Sequence, residues 1–100
     1  MYAQVIEGGT TLELRARMDA IVTDEMVPAL RDEPGFAGAL NLVDRRTGQA
    51  MMIVLWDTDA QARRDLAEYG GAFLKALAGV AAISTGTRRP ISVWEVNARE

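Results

Sequence analysis

Residues 51–56 read MMIVLW, six apolar side chains in succession inside a chain of 100 residues with a formal net charge of −3. A short apolar run of this length, bounded by polar and turn residues, reads as a buried strand. Successive side chains of a strand point to opposite faces, so this one places apolar groups on both faces of any sheet it joins. A half-wet sheet would alternate apolar and polar residues instead. Each face therefore needs a cover, and the rest of the chain must supply at least one.

The totals limit what that cover can be. An apolar fraction of 49% and a charged fraction of 25% are those of an ordinary globular domain. A chain of this size buries roughly two thirds of its unfolded surface around one core, so residues 1–100 are expected to form a single domain. The basic residues cluster only as the pairs Arg45-Arg46, Arg63-Arg64 and Arg88-Arg89, which argues against nucleic acid or an anionic membrane as partner. Cysteine and histidine are both absent. Disulfides, thiolate zinc and iron–sulfur clusters are thereby excluded, as are haem on an axial histidine, a Ser-His-Asp triad and a two-histidine iron site within this chain. No metal and no cofactor is expected. The longest apolar run falls well short of a membrane span. The start MYAQVIEGG lacks the basic and cleavage features of a secretory signal, and a cytoplasmic protein is the expectation.

Along the chain, YAQVIEG (2–8) reads as a strand closed by Gly8-Gly9. Thr10 and Glu13 have capping-box spacing. Behind them Leu14, Met18, Ile21, Val22, Met26 and Leu30 recur at three- and four-residue steps, the stripe of an amphipathic helix. Arg15, Arg17, Asp19, Asp24 and Glu25 fall on its polar side. Pro28 lacks a backbone donor, so a kink is expected there. FAGALNLV (36–43) and AMMIVLW (50–56) flank DRRTGQ as a hairpin. Thr58 and Gln61 form a second capping box ahead of a helix through DAQARRDLAEY. Gly70-Gly71 interrupts it, and AFLKALAGVAAI (72–83) resumes as another helical piece. STGTRRP (84–90) is loop and ISVWEVN (91–97) a last strand.

The order β-α-β-β-α-β predicts an α+β, ferredoxin-like domain: a four-stranded antiparallel sheet with its helices on one face. Pairing residue 43 with 50 places Ala37, Ala39, Asn41, Val43, Met52, Val54 and Trp56 on one face. Phe36, Leu40, Leu42, Met51, Ile53 and Leu55 fall on the other. Both are apolar and the helices cover only one. An apolar patch of several hundred Å² usually marks an association site. The expected partner is a second copy of the chain, packed through the face of Phe36, Leu40, Leu42, Met51, Ile53 and Leu55.

The stretch EPGFAGALNLVDRRTGQAMMIVLWDTDAQAR resembles the antibiotic-biosynthesis-monooxygenase (ABM) domain family of dimeric α+β barrels. The residues that carry the likeness are Pro34, Gly35, Phe36, Gly38, Asp44, Gly48, Trp56, Thr58 and Ala60. The resemblance implies a small aromatic-ligand pocket between sheet and helices. It also implies either cofactor-independent oxidation of phenolic or polycyclic aromatic compounds, or a non-catalytic ligand-binding or accessory dimer of the same fold. The quinone-forming members keep the Trp matched by Trp56. They use an Asn four residues before it, where this chain has Met52, and a Tyr in the next helix, where it has Ala62. Haem-degrading members need a His, so haem degradation is not expected.

In the register above, Asn41 lies opposite Met52 and its amide stands in for the missing one, with Ala37 and Ala39 leaving room for a flat ligand. On this reading Asn41 holds a developing oxyanion, and Tyr69 or Arg64 assists with proton or charge. Trp56, Met52, Val54, Ala39 and Met18 line the substrate site. Each residue also has a plainer role: Trp56 as core anchor, Asn41 as an edge residue, Tyr69 as a half-buried surface group, Arg64 as part of a solvated helix face, and the methionines as core filler.

Overall fold

The apolar run occupies β3 (Gln49–Trp56), which lies inside the sheet between β2 (Phe36–Val43) and β1 (Tyr2–Gly9). A fourth strand, β4 (Ser92–Glu95), pairs with the free side of β1, giving the order β2-β3-β1-β4. All pairings are antiparallel, as the ferredoxin-like plan requires. The structure is a computed structural model that describes residues 1–86 and 89–100. Within the expected loop 84–90, and within the pair Arg88-Arg89, residues 87 and 88 thus lie outside the described residues. Among the described residues no helix is long and apolar enough to cross a membrane.

The first helical segment, residues 15–31, has three parts: α1 (Arg15–Ile21), a π-helical turn (Val22–Met26) and α2 (Val27–Arg31). Met18, Val22, Met26 and Leu30 are all buried. Four-residue steps drift by about 40° each in a regular α-helix, so three such steps would rotate Leu30 well away from Met18. The wider π turn takes up that drift and keeps the four side chains on one stripe. Pro28 removes one backbone donor just beyond it, and the amide of Val27 reaches back five residues to the carbonyl of Val22. The expected kink is thus realised as a π bulge.

The second segment is shorter than the sequence suggests. Thr58 and Gln61 form the expected capping box, but α3 (Asp59–Ala62) ends after one turn. The Asp65 carboxylate accepts from the amide of Ala67 and starts a separate 3-10 turn, Leu66–Glu68. Helix α4 (Gly71–Ile83) starts at the second residue of the double glycine, with Gly70 at its N-cap. The helices pack on the face of β3 that carries Met52, Val54 and Trp56, and one core joins these to Val22, Met26, Leu30, Phe73 and Ala76.

The hairpin register is the expected one, with Val43 opposite Ala50 and Asn41 opposite Met52. It breaks near the start of β2. Phe36 pairs with Trp56 and Gly38 with Leu55, so Ala37 is an extra residue in a bulge, and Gly38 has a φ of +150°. The bulge turns Phe36 onto the helix-covered face, where its ring meets Trp56 edge-on at 6.3 Å. Phe36 therefore does not belong to the uncovered face. That face keeps Leu40, Leu42, Met51, Ile53 and Leu55 and gains Trp94. Leu40, Leu42 and Trp94 are 55%, 49% and 63% exposed.

The Thr10–Glu13 capping box does not form. The Thr10 hydroxyl instead donates to the Ile83 carbonyl, and its amide donates to the carbonyl of Gly48. Held at both points, Thr10 is not free to cap, and α1 starts only at Arg15 with no side-chain cap. Gly48 is the residue that permits this close approach. Its φ is +81°, and a Cβ there would sit 2.2 Å from the Thr10 carbonyl oxygen. Gly48→Ala is expected to lower stability by about 2 kcal/mol or more, since left-handed backbone and a backbone clash act together. Gly71→Ala, whose Cβ would meet nothing, should leave stability unchanged or raise it. Urea unfolding of the two variants beside the wild type checks both.

Candidate functional site

Between the helices and the sheet lies a cavity of about 440 Å³. Its helical walls are Met18, Val22 and Met26 on one side and Phe73, Leu77 and Val80 of α4 on the other. Ile6, Met52 and Asn41 form its sheet wall, and Glu7, Arg89 and Ile91 stand among the residues at one end. The β1–β3–β2 register explains the floor, because Ile6, Met52 and Asn41 lie in one row across three strands. Asn41 is the polar side chain of that row. Its amide donates weakly to the Met51 carbonyl at 3.5 Å, the outer limit of a hydrogen bond.

One wall residue was not expected. Arg15 lines the cavity and is only 5% exposed, although helical periodicity assigns it to the polar side. The first turn of α1 faces the Gly48 turn rather than water, which accounts for the difference. Its Nε donates to Asp19 Oδ1 at 3.1 Å, and its Nη1 to the Gly48 carbonyl at 3.1 Å. Its Nη2 is buried with no hydrogen-bond partner among the described residues. Asp19 is shared with Arg45. The hydrogen bond from Arg45, helped by the charges of both arginines, holds the Asp19 carboxyl below the ordinary aspartate range against the opposing effect of burial.

Trp56, Tyr69 and Arg64 form a second cluster, behind the cavity wall. Trp56 is fully buried, and its Nε1 donates to Gln4 Oε1 at 3.1 Å. Tyr69 stands edge-on to Trp56 at 5.9 Å and tilted against Phe73 at 4.7 Å. The Arg64 guanidinium lies 5.0 Å from the centre of the Tyr69 ring and pairs with Glu33 at 2.8 Å. Phe73 belongs to both groups, since it lines the cavity on one side and packs on Tyr69 on the other.

The expected site is thus divided. Asn41, Met52 and Met18 line the cavity; Trp56, Val54, Ala39, Tyr69 and Arg64 do not. Trp56 and Val54 are core residues, and Ala39 packs against that core from opposite Val54. Tyr69 is 4% exposed rather than half-buried, and Arg64 is held in an ion pair rather than on a free helix face. Two participants had a faint signal in the sequence. Gln4 is the single polar residue between Tyr2 and Ile6 on the core side of β1, and Arg15 directly follows Leu14, the first residue of the apolar stripe.

Burial raises the Tyr69 hydroxyl above its ordinary value of 10.0, with the nearby Gln4 side chain and the Arg64 charge opposing that shift. The Gln4 side chain is not in hydrogen-bond geometry, and the hydroxyl has no partner among the described residues. A raised tyrosine value means that the neutral form is favoured by folding; this contribution is present below pH 10 and is lost as pH rises through the folded value. In an alkaline absorbance titration, Tyr69 should ionise above pH 10, and the Tyr69→Phe variant should lack that late step. Because an unpartnered buried hydroxyl carries a desolvation penalty, Tyr69→Phe should also be as stable as the wild type or more stable by up to about 1 kcal/mol in urea unfolding.

No family model matches the sequence, and no curated protein matches it. Solved structures do. An antibiotic biosynthesis monooxygenase candidate from Nitrosomonas europaea superposes with a TM-score of 0.77 at 13% identity, covering 98% of this chain and 100% of that one. SnoaB from Streptomyces nogalater, described as a cofactor-independent oxygenase, gives 0.74 at 18% identity, covering 98% and 95%. Rv0793 from Mycobacterium tuberculosis gives 0.68 at 16% identity, covering 99% and 96%. Identities this low speak to fold alone. Over nearly its whole length, the chain therefore has the α+β fold of the antibiotic biosynthesis monooxygenase structures.

Proposed function

We propose that the chain is a homodimeric, cofactor-independent oxygenase that acts on a phenolic or polycyclic aromatic compound bound in the cavity between helices and sheet. The cavity is the observation that carries this reading. Its volume of about 440 Å³ falls within the range of small-molecule sites, as does its apolar lining with a few polar groups. The shared fold with SnoaB, a cofactor-independent oxygenase, supports the reaction class.

In such a reaction the substrate itself supplies the electrons. For an anthrone, the ring CH2 loses two hydrogens and becomes a carbonyl. One atom of O2 becomes the new carbonyl oxygen, and the other leaves as water with the two hydrogens. Ionising the substrate makes it a better electron donor, so a donor aimed at its oxygen lowers the barrier. In this reading Asn41 is that donor, supported by its position on the cavity wall and by its amide giving up only a weak bond to the Met51 carbonyl. Trp56, Tyr69 and Arg64 act at one remove, by fixing Phe73 in the cavity wall. A second reading is a ligand-binding or accessory dimer without turnover. The placement of Tyr69 and Arg64 behind the wall, away from any bound ligand, favours it.

Oxygen uptake by the purified protein with an anthrone, in the presence of a metal chelator, separates the two. The oxygenase should consume one O2 per quinone formed, and Asn41→Ala should slow it by about 100-fold. Ligand binding without oxygen uptake establishes the second reading instead.

The dimer forms through the uncovered face. Leu40, Ile53 and Val5 form one row across it, next to Leu55, Ala3 and Trp94. An apolar face of this kind suits self-association across a two-fold axis, in which the same patch serves both partners. Light scattering at low micromolar concentration should give twice 10.9 kDa, and Leu40→Lys should shift the mass to that of a monomer. A monomeric wild type would overturn the dimer.

A further inference from the structure

Arg15, the one cation buried in the cavity wall among the described residues, has hydrogen-bonding capacity that they do not use. A guanidinium carries five N–H donors and keeps its charge at any ordinary pH. In Arg15 one is taken by Asp19 and one by the Gly48 carbonyl, while Nη2 is buried without a partner among the described residues. Such an atom is costly to bury unless something occupies it in the working state.

Local charge points the same way. Asp19 is the carboxylate that pairs with Arg15, and Arg45 shares it, so the three side chains together carry one positive charge in excess. The other charged groups on the wall, Glu7 and Arg89, face each other at 3.8 Å. Beyond Arg15 the wall is mainly apolar, formed by side chains such as Met18, Val22 and Leu77. A flat apolar body ending in a negative oxygen complements that arrangement: the rings take the apolar walls and the anion takes the guanidinium.

We propose that Arg15 is the specificity-determining residue of the cavity and that it selects aromatic ligands bearing a carboxylate. This rests on the reading that the cavity binds aromatic molecules. Asn41 makes that selection more weakly, because its amide is a neutral donor and brings no charge to pair with a carboxylate. The salt bridge to Asp19 and the bond to Gly48 hold the guanidinium in place, so little side-chain freedom remains to be lost on binding.

The probes are 2-naphthoate and the neutral 2-naphthamide, titrated calorimetrically into the 100-residue protein at neutral pH. The wild type should bind the carboxylate about tenfold more tightly than the amide. Arg15→Gln should lose that preference while binding 2-naphthamide as the wild type does. Should Arg15→Gln fail to fold, the wild type still decides. The Nε–Hε resonance of Arg15 should shift on adding 2-naphthoate and stay in place on adding 2-naphthamide.

Equal affinity of the wild type for the two probes overturns the assignment of Arg15 and leaves the aromatic cavity standing. A preference that survives in Arg15→Gln also overturns it, and locates the anion elsewhere. Binding of neither probe overturns the cavity reading and this inference with it.

Discussion

Strand β3 is apolar on both faces, and every other element answers to that. Its neighbours β1 and β2 satisfy its backbone on both sides, and the helices cover one row of its side chains. At roughly 25 cal/mol per Å² of apolar surface removed from water, that coverage is the main favourable term available to a chain of this size. The helices accordingly present their largest apolar groups to Met52, Val54 and Trp56. The π turn serves the same end, since it keeps one continuous stripe of side chains over the sheet where a regular helix would rotate away.

The cavity exists because that coverage is complete at one end of the sheet and partial at the other. At the Trp56 end, Phe36, Tyr69 and Phe73 interlock with the indole, and Gln4 satisfies its N–H. Toward Met52 the wall side chains are slimmer and more flexible, and methionine is suited to lining an irregular space. The Gly48 turn then closes over Arg15 and removes its guanidinium from solvent. One backbone contact, between Thr10 and Gly48, thus brings together the end of β1, the hairpin and the start of the first helix.

Much of the fold could be read from the sequence because it depends on local pattern. The alternation of strands and helices, the hairpin register that sets Asn41 opposite Met52, and the Thr58–Gln61 cap all follow from spacing alone. What could not be read depends on contacts between distant residues. Thr10 looks like a cap until Gly48 and Ile83 claim its hydrogen bonds. Arg15 looks solvent-facing by helical periodicity, yet the turn around Gly48 buries it. Phe36 changes faces through one extra residue at Ala37, a slip that the period of two cannot reveal. The candidate site was legible in part. Met18, Asn41 and Met52 share the cavity, whereas Trp56, Tyr69 and Arg64 share only one another, because the aromatic interlock fills the space expected for a ligand.

The bulge at Ala37 has a further consequence, for the open edge of the sheet. Strand β2 is an edge strand, and a straight apolar edge is a template on which another chain can add strands without limit. The irregular step between Phe36 and Gly38 and the local increase in twist that a bulge brings spoil that template at one end of the strand. Growth along the hydrogen-bonding direction is discouraged there. The geometry thus disfavours open-ended growth of the sheet from that end of β2.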